Sequence, residues 1–157
     1  MRILGVVISV LLIGVYAFGS GRWVSTSSDW YLSLQQPAWQ PPNAVFGLAW
    51  AYNFTMLIVV GILMSLRAPT PALVTFLVLL AVSIALAIGW SYLFYGPHAL
   101  VGSAICLTVC AVVTVAIVVV AWSQAWWLGA VMLPYLLWLA IASSLSWGYV
   151  ALNGSSG

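Results

Sequence analysis

Charge is almost missing from this chain. Its 157 residues include three arginines, one aspartate, and no lysine or glutamate. Charged residues make up 3% of it, where a soluble domain carries about 25%. Four charges cannot solvate a globule of this size, so a water-soluble fold is excluded. Asp29 is the sole carboxylate side chain, which rules out paired-carboxylate catalysis within one chain. His98 is the sole histidine. A triad would need it to meet Asp29 and a serine, and no strained nucleophile motif such as G-x-S-x-G supports one. A glycine-rich phosphate loop is also absent. No ionisable residue lies in the middle of a long apolar run, which argues against an ion-coupled pump. A net charge of +2 with no basic patch gives no footprint for nucleic acid. Cys106 and Cys110, the two cysteines, lie four apart in one apolar run. They read as small packing residues on one helix face, because a metal site needs more ligands than His98 adds.

What is present is apolar length. Hydrophobic residues are 66% of the chain and the mean hydropathy is +1.22. The runs are too long for barrel strands, and only helices satisfy every backbone group within lipid. A span needs about 20 apolar residues. Five segments qualify: residues 3–19, 44–66, 72–95, 100–122 and 126–152. The expected fold is an all-α membrane protein, a five-transmembrane-helix bundle forming one domain over residues 1–157. A structured loop rich in proline and tryptophan, from Ser20 to Asn43, joins its first two helices. The other links are short, so successive helices should be antiparallel neighbours. Thr70 before Pro71 offers a cap with proline at the first helical position, and Pro97 offers the same to the fourth helix. Pro134 falls inside the fifth span and should bend it or change its course. The first segment also has the outline of a secretory leader, with Arg2, an apolar stretch and small residues from Gly19 to Gly21. Arg2 and Arg67 fall on one side and Arg22 on the other, which leans toward a cytoplasmic N-terminus by one residue.

Ten tryptophans punctuate these runs. Trp23, Trp30, Trp122, Trp126 and Trp127 lie near span ends and suit an interfacial aromatic belt. The others form helical pairs: Trp50 with Phe54, Trp90 with Phe94, and Trp138, Ala142 and Ser146 at four-residue steps with Trp147 following. Alternation of the spans puts Trp50, Trp90 and the Trp147 end of the last helix in one half of the bundle, beneath the long loop. Two readings fit: rings that simply pack between helices, and rings that wall a pocket for a large, flat, apolar ligand. Within the loop, Asp29 after Ser27 and Ser28 is placed to cap a short helix beginning at Trp30. Pro37, Pro41 and Pro42 stiffen the chain around Trp39.

The stretch WYLSLQQPAWQPPNAVFGLAW (residues 30–50) resembles the signature of the tryptophan-rich sensory protein and translocator protein family (TspO/MBR, the peripheral benzodiazepine receptor family). WSYLFYGPHAL and LPYLLWLAIASSLSW resemble its third- and fifth-helix motifs, in the same order. The resemblance covers nearly the whole chain. It implies an integral protein of a bacterial membrane, often a homodimer, that binds porphyrins, haem-type tetrapyrroles, sterols and benzodiazepine-type drugs as ligands rather than as cofactors. Carried over by motif, the ligand-binding positions are Tyr31, Trp39, Pro41, Trp50, Phe54, Trp90, Trp138, Ala142, Ser146 and Trp147. Some bacterial members promote light-dependent porphyrin breakdown, and in that chemistry Trp50 and Trp138 would be the catalytic, electron-rich partners. Two positions depart from the family pattern. Ala87 stands where an asparagine is common, and Tyr149 is followed by no basic residue, unlike the sterol-recognition pattern. Ala81, Ala85 and Gly89 form a small-residue stripe suited either to contact within the bundle or, as the resemblance favours, to a dimer interface. Three functions are compatible with this reading: a tetrapyrrole receptor or sensor, a photo-oxidative porphyrin-degrading enzyme, and a passive transporter of apolar metabolites.

Overall fold

The computed structural model of the chain describes residues 2–26 and 28–154. Seven helices follow in order: α1 (Arg2–Gly21), α2 (Asp29–Ser33), α3 (Asn43–Arg67), α4 (Thr70–Tyr95), α5 (Leu100–Gln124), α6 (Trp126–Ala130) and α7 (Leu133–Asn153). Five helical segments are long and apolar enough to cross a membrane, with α6 and α7 together making the fifth. Their outward faces are apolar and exposed, as at Ile3, Leu11, Val78, Val112 and Leu137. Lipid is the solvent for such faces, and the chain is an integral membrane protein. The first segment, with its leader-like outline, packs as a full helix of the bundle.

The proline in the fifth span acts at a break. Helix α6 stops at Ala130, a turn follows at Val131 and Met132, and Pro134 sits in the first turn of α7, where its missing amide costs nothing. Two of the expected helix starts need correction. Pro69 rather than Thr70 precedes the first turn of α4, with no side-chain cap, and Thr70 and Pro71 are already helical. Helix α5 begins at Leu100, so Pro97 belongs to the preceding turn. That turn holds His98 at a φ of 60°, in the left-handed region that side chains with a Cβ seldom adopt.

The expectation that successive helices are neighbours holds for α4 with α5, and for α5 with α6 and α7. It fails for α3 and α4, which barely touch because α1 lies against both. Small residues make room for that arrangement. A Cβ on Gly61 would come within 2.9 Å of the Ser9 Cβ, and one on Gly5 within 3.0 Å of the Ser65 Oγ. Ser65 returns its hydroxyl to the Gly61 carbonyl one turn back, at 2.7 Å. The Ser9 hydroxyl reaches the same carbonyl from α1 at 3.4 Å. In lipid no hydrophobic force draws helices together, so close backbone approach and shared hydrogen bonds are the cohesive terms. Between α4 and α5 the same role falls to Ser83, Cys110 and Thr114. Ser83 lies 3.2 Å from the Thr114 hydroxyl, and the Cys110 thiol donates to the Ser83 carbonyl. Both cysteines are free thiols, and Cys110 is a buried packing residue.

The seam between α1 and α3 is open to test. Gly61→Val forces a contact that neither backbone can relieve, and should lower stability by about 1–3 kcal/mol. A Cβ on Gly14 would meet no atom within 4 Å, so Gly14→Ala should hold or raise stability through helix propensity. Thermal unfolding in detergent separates the two, and equal losses at both positions would contradict the packed seam.

Candidate functional site

The loop-one half of the bundle encloses a cavity of about 550 Å³, inside the range of about 300–1,000 Å³ typical of small-molecule sites. It is walled by α1, α3, α4 and α7, with Leu107 from α5, and it is roofed by the loop. Trp50 and Phe54 stand one turn apart on α3, with rings 5.3 Å between centroids and 23° from parallel. Tyr16 of α1 packs its ring edge-on against both, at 5.6 and 5.3 Å. The Tyr16 hydroxyl accepts a hydrogen bond from Tyr135 of α7 at 3.3 Å, so a fully buried ring is fixed at both its edge and its tip. On α4, Trp90 lies beside Phe94 and donates its indole N–H to the Ser146 Oγ of α7 at 3.0 Å. Ala142, one turn before Ser146, lines the wall with a methyl group. No lining residue in the described chain is charged, and none is His, Met or Cys.

Six of the ten ligand positions named from the sequence meet here: Tyr31, Trp50, Phe54, Trp90, Ala142 and Ser146. The other four stand outside the lining. Trp138 is 7% exposed and buried behind the wall, edge-on to the lining residue Phe46 at 5.2 Å. Trp147 is 41% exposed and turns to α5, where it donates to the Thr108 hydroxyl. Trp39 is 57% exposed and donates to the Ser144 hydroxyl on the outer side of α7. Pro41 follows Gln40, and it is Gln40 that reaches the cavity. Tyr16, Phe46, Gln40, Tyr95 and Tyr149 were not identified from the sequence. Tyr16 carried a signal nonetheless, because Gly5, Ser9, Ile13, Tyr16 and Ser20 repeat at helical spacing and form the buried stripe of α1.

The roof is fastened at several points. Ser28, not Asp29, caps α2: its Oγ accepts the Tyr31 amide, and Asp29 is the first helical residue. Ser27 lies outside the described residues. The Tyr149 hydroxyl donates to the Gln40 Oε1 and lies 3.3 Å from the Tyr31 hydroxyl. Asn153 holds the Gln35 backbone at both ends, its Oδ1 accepting the amide at 2.9 Å and its Nδ2 donating to the carbonyl at 3.0 Å. Pro37 and Trp39 press onto Gly148, where an added Cβ would come within 2.7 and 2.8 Å of them. Trp30, expected in the belt, also has partners within the chain: it stacks on His98 at 3.8 Å and 8° and meets Phe94 edge-on. Trp23, Trp122 and Trp126 are exposed at helix ends, as a belt requires, whereas Trp127 packs partly against the core.

A five-span bundle with an aromatic cavity beneath a tied-down loop defines a class of integral membrane protein, and relatives identify the class. Residues 6–152 match the TspO/MBR family, and the chain belongs to that family. It is 29% identical over 146 residues to Protein CrtK of Rhodobacter capsulatus, covering 92% of this chain and 91% of that one. It is 28% identical to the Tryptophan-rich protein TspO of Archaeoglobus fulgidus, covering 98% and 99%. It is 29% identical over 129 residues to the Tryptophan-rich sensory protein of Cereibacter sphaeroides, covering 80% and 77%.

The clamp on the roof makes a prediction. Gly148→Val should lift Pro37 and Trp39 off α7 and raise amide exchange across residues 30–42 at least tenfold, while α4 and α5 keep their protection. Unchanged exchange in the loop would show that Gly148 is not needed for its closure.

Proposed function

We propose that the chain binds a tetrapyrrole of the protoporphyrin type in this cavity and acts as a membrane sensor of it. The observation that carries the reading is the cavity itself: about 550 Å³, walled by rings from α1, α3, α4 and α7. Flat apolar faces favour a flat apolar guest, and aromatic stacking adds about 0.5–1.5 kcal/mol per ring pair beyond burial. The polar lining groups are neutral, among them the Tyr31, Tyr95, Tyr149 and Ser146 hydroxyls and the Gln40 and Asn43 amides. They suit hydrogen bonds at the edge of a macrocycle and offer a buried carboxylate neutral donors but no cation. With no His, Met or Cys in the lining, tyrosine is the one side-chain type there that ligates haem iron, and the reading has the guest held chiefly by its faces. Ala87 lines the wall where the family pattern has asparagine, so one polar contact gives way to apolar surface. Tyr149 is engaged with the roof, which argues against a sterol contact through it on the lipid side.

A photo-oxidative reading has one observation in its favour. Trp50 lines the cavity, so an excited porphyrin in the presence of molecular oxygen would have an electron-rich indole against it. Trp138 would act across Phe46. A homodimer is part of the proposal, with α4 as its interface. Ala85 is exposed there and Ala81 half-buried, but Gly89 faces Cys106 of the same chain. Cross-linking of an Ala85→Cys variant in membranes checks that contact.

Protoporphyrin should quench the tryptophan fluorescence of the purified protein saturably. Ala142→Trp, which fills the wall, should weaken binding at least tenfold, and the protoporphyrin dimethyl ester should bind at least as tightly as the free acid. Illumination that consumes porphyrin with wild type but not with Trp50→Phe would favour the enzyme reading. Vesicle uptake without saturable quenching would favour passive transport and contradict the binding site.

A further inference from the structure

The seam between α1 and α3 is closed at one end and open at the other. Near the N-terminus of α1 its glycines are packed: a Cβ on Gly5 or Gly61 would meet α3, α4 or α1 at 2.9–3.1 Å. At the loop end Gly19 packs against Ile88 of α4, where a Cβ would come within 2.6 Å, but the two glycines that face the seam meet nothing. A Cβ on Gly21 or Gly47 would find no atom within 4 Å. Yet Gly21 and Gly47 both line the cavity, together with Ala17 and Asn43, and all four are exposed. Tyr16 marks the boundary, since it is fully buried against Trp50 and Phe54. These glycines therefore do not serve close packing. They leave a gap in the wall.

The residues beside the gap show what it opens onto. Phe18 on α1 is 85% exposed and Leu48 on α3 is 73% exposed. Side chains of that kind face acyl chains, so the gap faces the bilayer where the apolar span meets the headgroup region. The roof, by contrast, is tied to α7 through Gln35, Gln40 and Trp39, and Trp30 is stacked on the turn between α4 and α5. A guest arriving through the roof has to break these contacts. A guest arriving along the seam meets none of them.

We infer that the seam between Ala17 and Gly21 of α1 and Gly47 of α3 is a lateral portal, through which an apolar ligand dissolved in the membrane reaches the cavity without passing through water. The inference rests on the ligand-binding reading above and adds the phase from which the site is filled. Small side chains are the requirement at all three positions, because a ring at any of them would span the gap.

Two measurements test it, one with ligand and one without. In phosphatidylcholine vesicles preloaded with protoporphyrin IX, quenching by the full-length protein should develop about tenfold more slowly in Gly47→Trp and Ala17→Phe than in wild type. The loss in association rate should exceed the loss in affinity. Asn153→Ala, which loosens the roof, should leave the association rate within twofold. A rate that is unchanged in both bulky variants and raised by Asn153→Ala would overturn the portal in favour of the roof, while leaving the binding site intact. The second measurement does not depend on porphyrin binding. With Cys106→Ala and Cys110→Ala in place, a spin label at Gly47→Cys should collide chiefly with oxygen, which concentrates in lipid, and little with a water-soluble nickel chelate. Predominant nickel collision would show that the gap opens to water, past Val24 and Thr26, and would overturn the inference whatever the porphyrin result.

Discussion

A loop that closes the mouth of an apolar cavity turns some of its backbone and side-chain polar groups away from water, and each one left without a partner is costly. Here the last turns of α7 meet that need. Asn153 binds both the amide and the carbonyl of Gln35, Tyr149 donates to Gln40, and Ser144 accepts from Trp39. Gly148 gives up its side chain so that Pro37 and Trp39 can lie against the helix. Without this edge of α7, the three prolines would stiffen a loop with nothing to rest on. With it, the loop becomes a roof and the space beneath it becomes a cavity.

The cavity exists because the bundle is tight elsewhere. Gly5, Ser9, Gly61 and Ser65 bring α1 against α3 at one end, and Ser83, Cys110 and Thr114 join α4 to α5. At the other end the large rings of Tyr16, Trp50 and Trp90 hold the helices apart. Their polar tips are engaged where partners exist, Tyr16 with Tyr135 and Trp90 with Ser146. A ring fixed by its own hydrogen bond is a rigid wall, and rigid walls bind a flat guest with little further loss of conformational freedom.

Much of this was legible in the residues. Scarce charge and five apolar runs fixed the membrane class, and the alternation of spans put Trp50, Trp90 and Ser146 at the same end. Four features were not legible, each for a physical reason. Helix α1 lies between α3 and α4, and this depends on glycine and serine contacts whose partners are distant in sequence. Trp138 and Trp147 share a helix with Ala142 and Ser146, but four-residue spacing does not say how far a face rotates from the cavity. Trp30 looked like a belt residue because it lies near a span end, and only the turn at His98 reveals its stacking partner. The capping of α2 by Ser28 rather than Asp29 is a one-residue error of the kind that capping patterns allow.

The central claim is that rings from separate helices enclose a planar guest beneath a fastened loop. A structure determined with protoporphyrin IX bound, in a lipid bilayer, tests it most directly. The account predicts the macrocycle between Trp50, Phe54 and Trp90, with its edge against Tyr31 and Gln40 and the loop still bound to α7. A macrocycle held on the outer surface, with the cavity unoccupied, would contradict it.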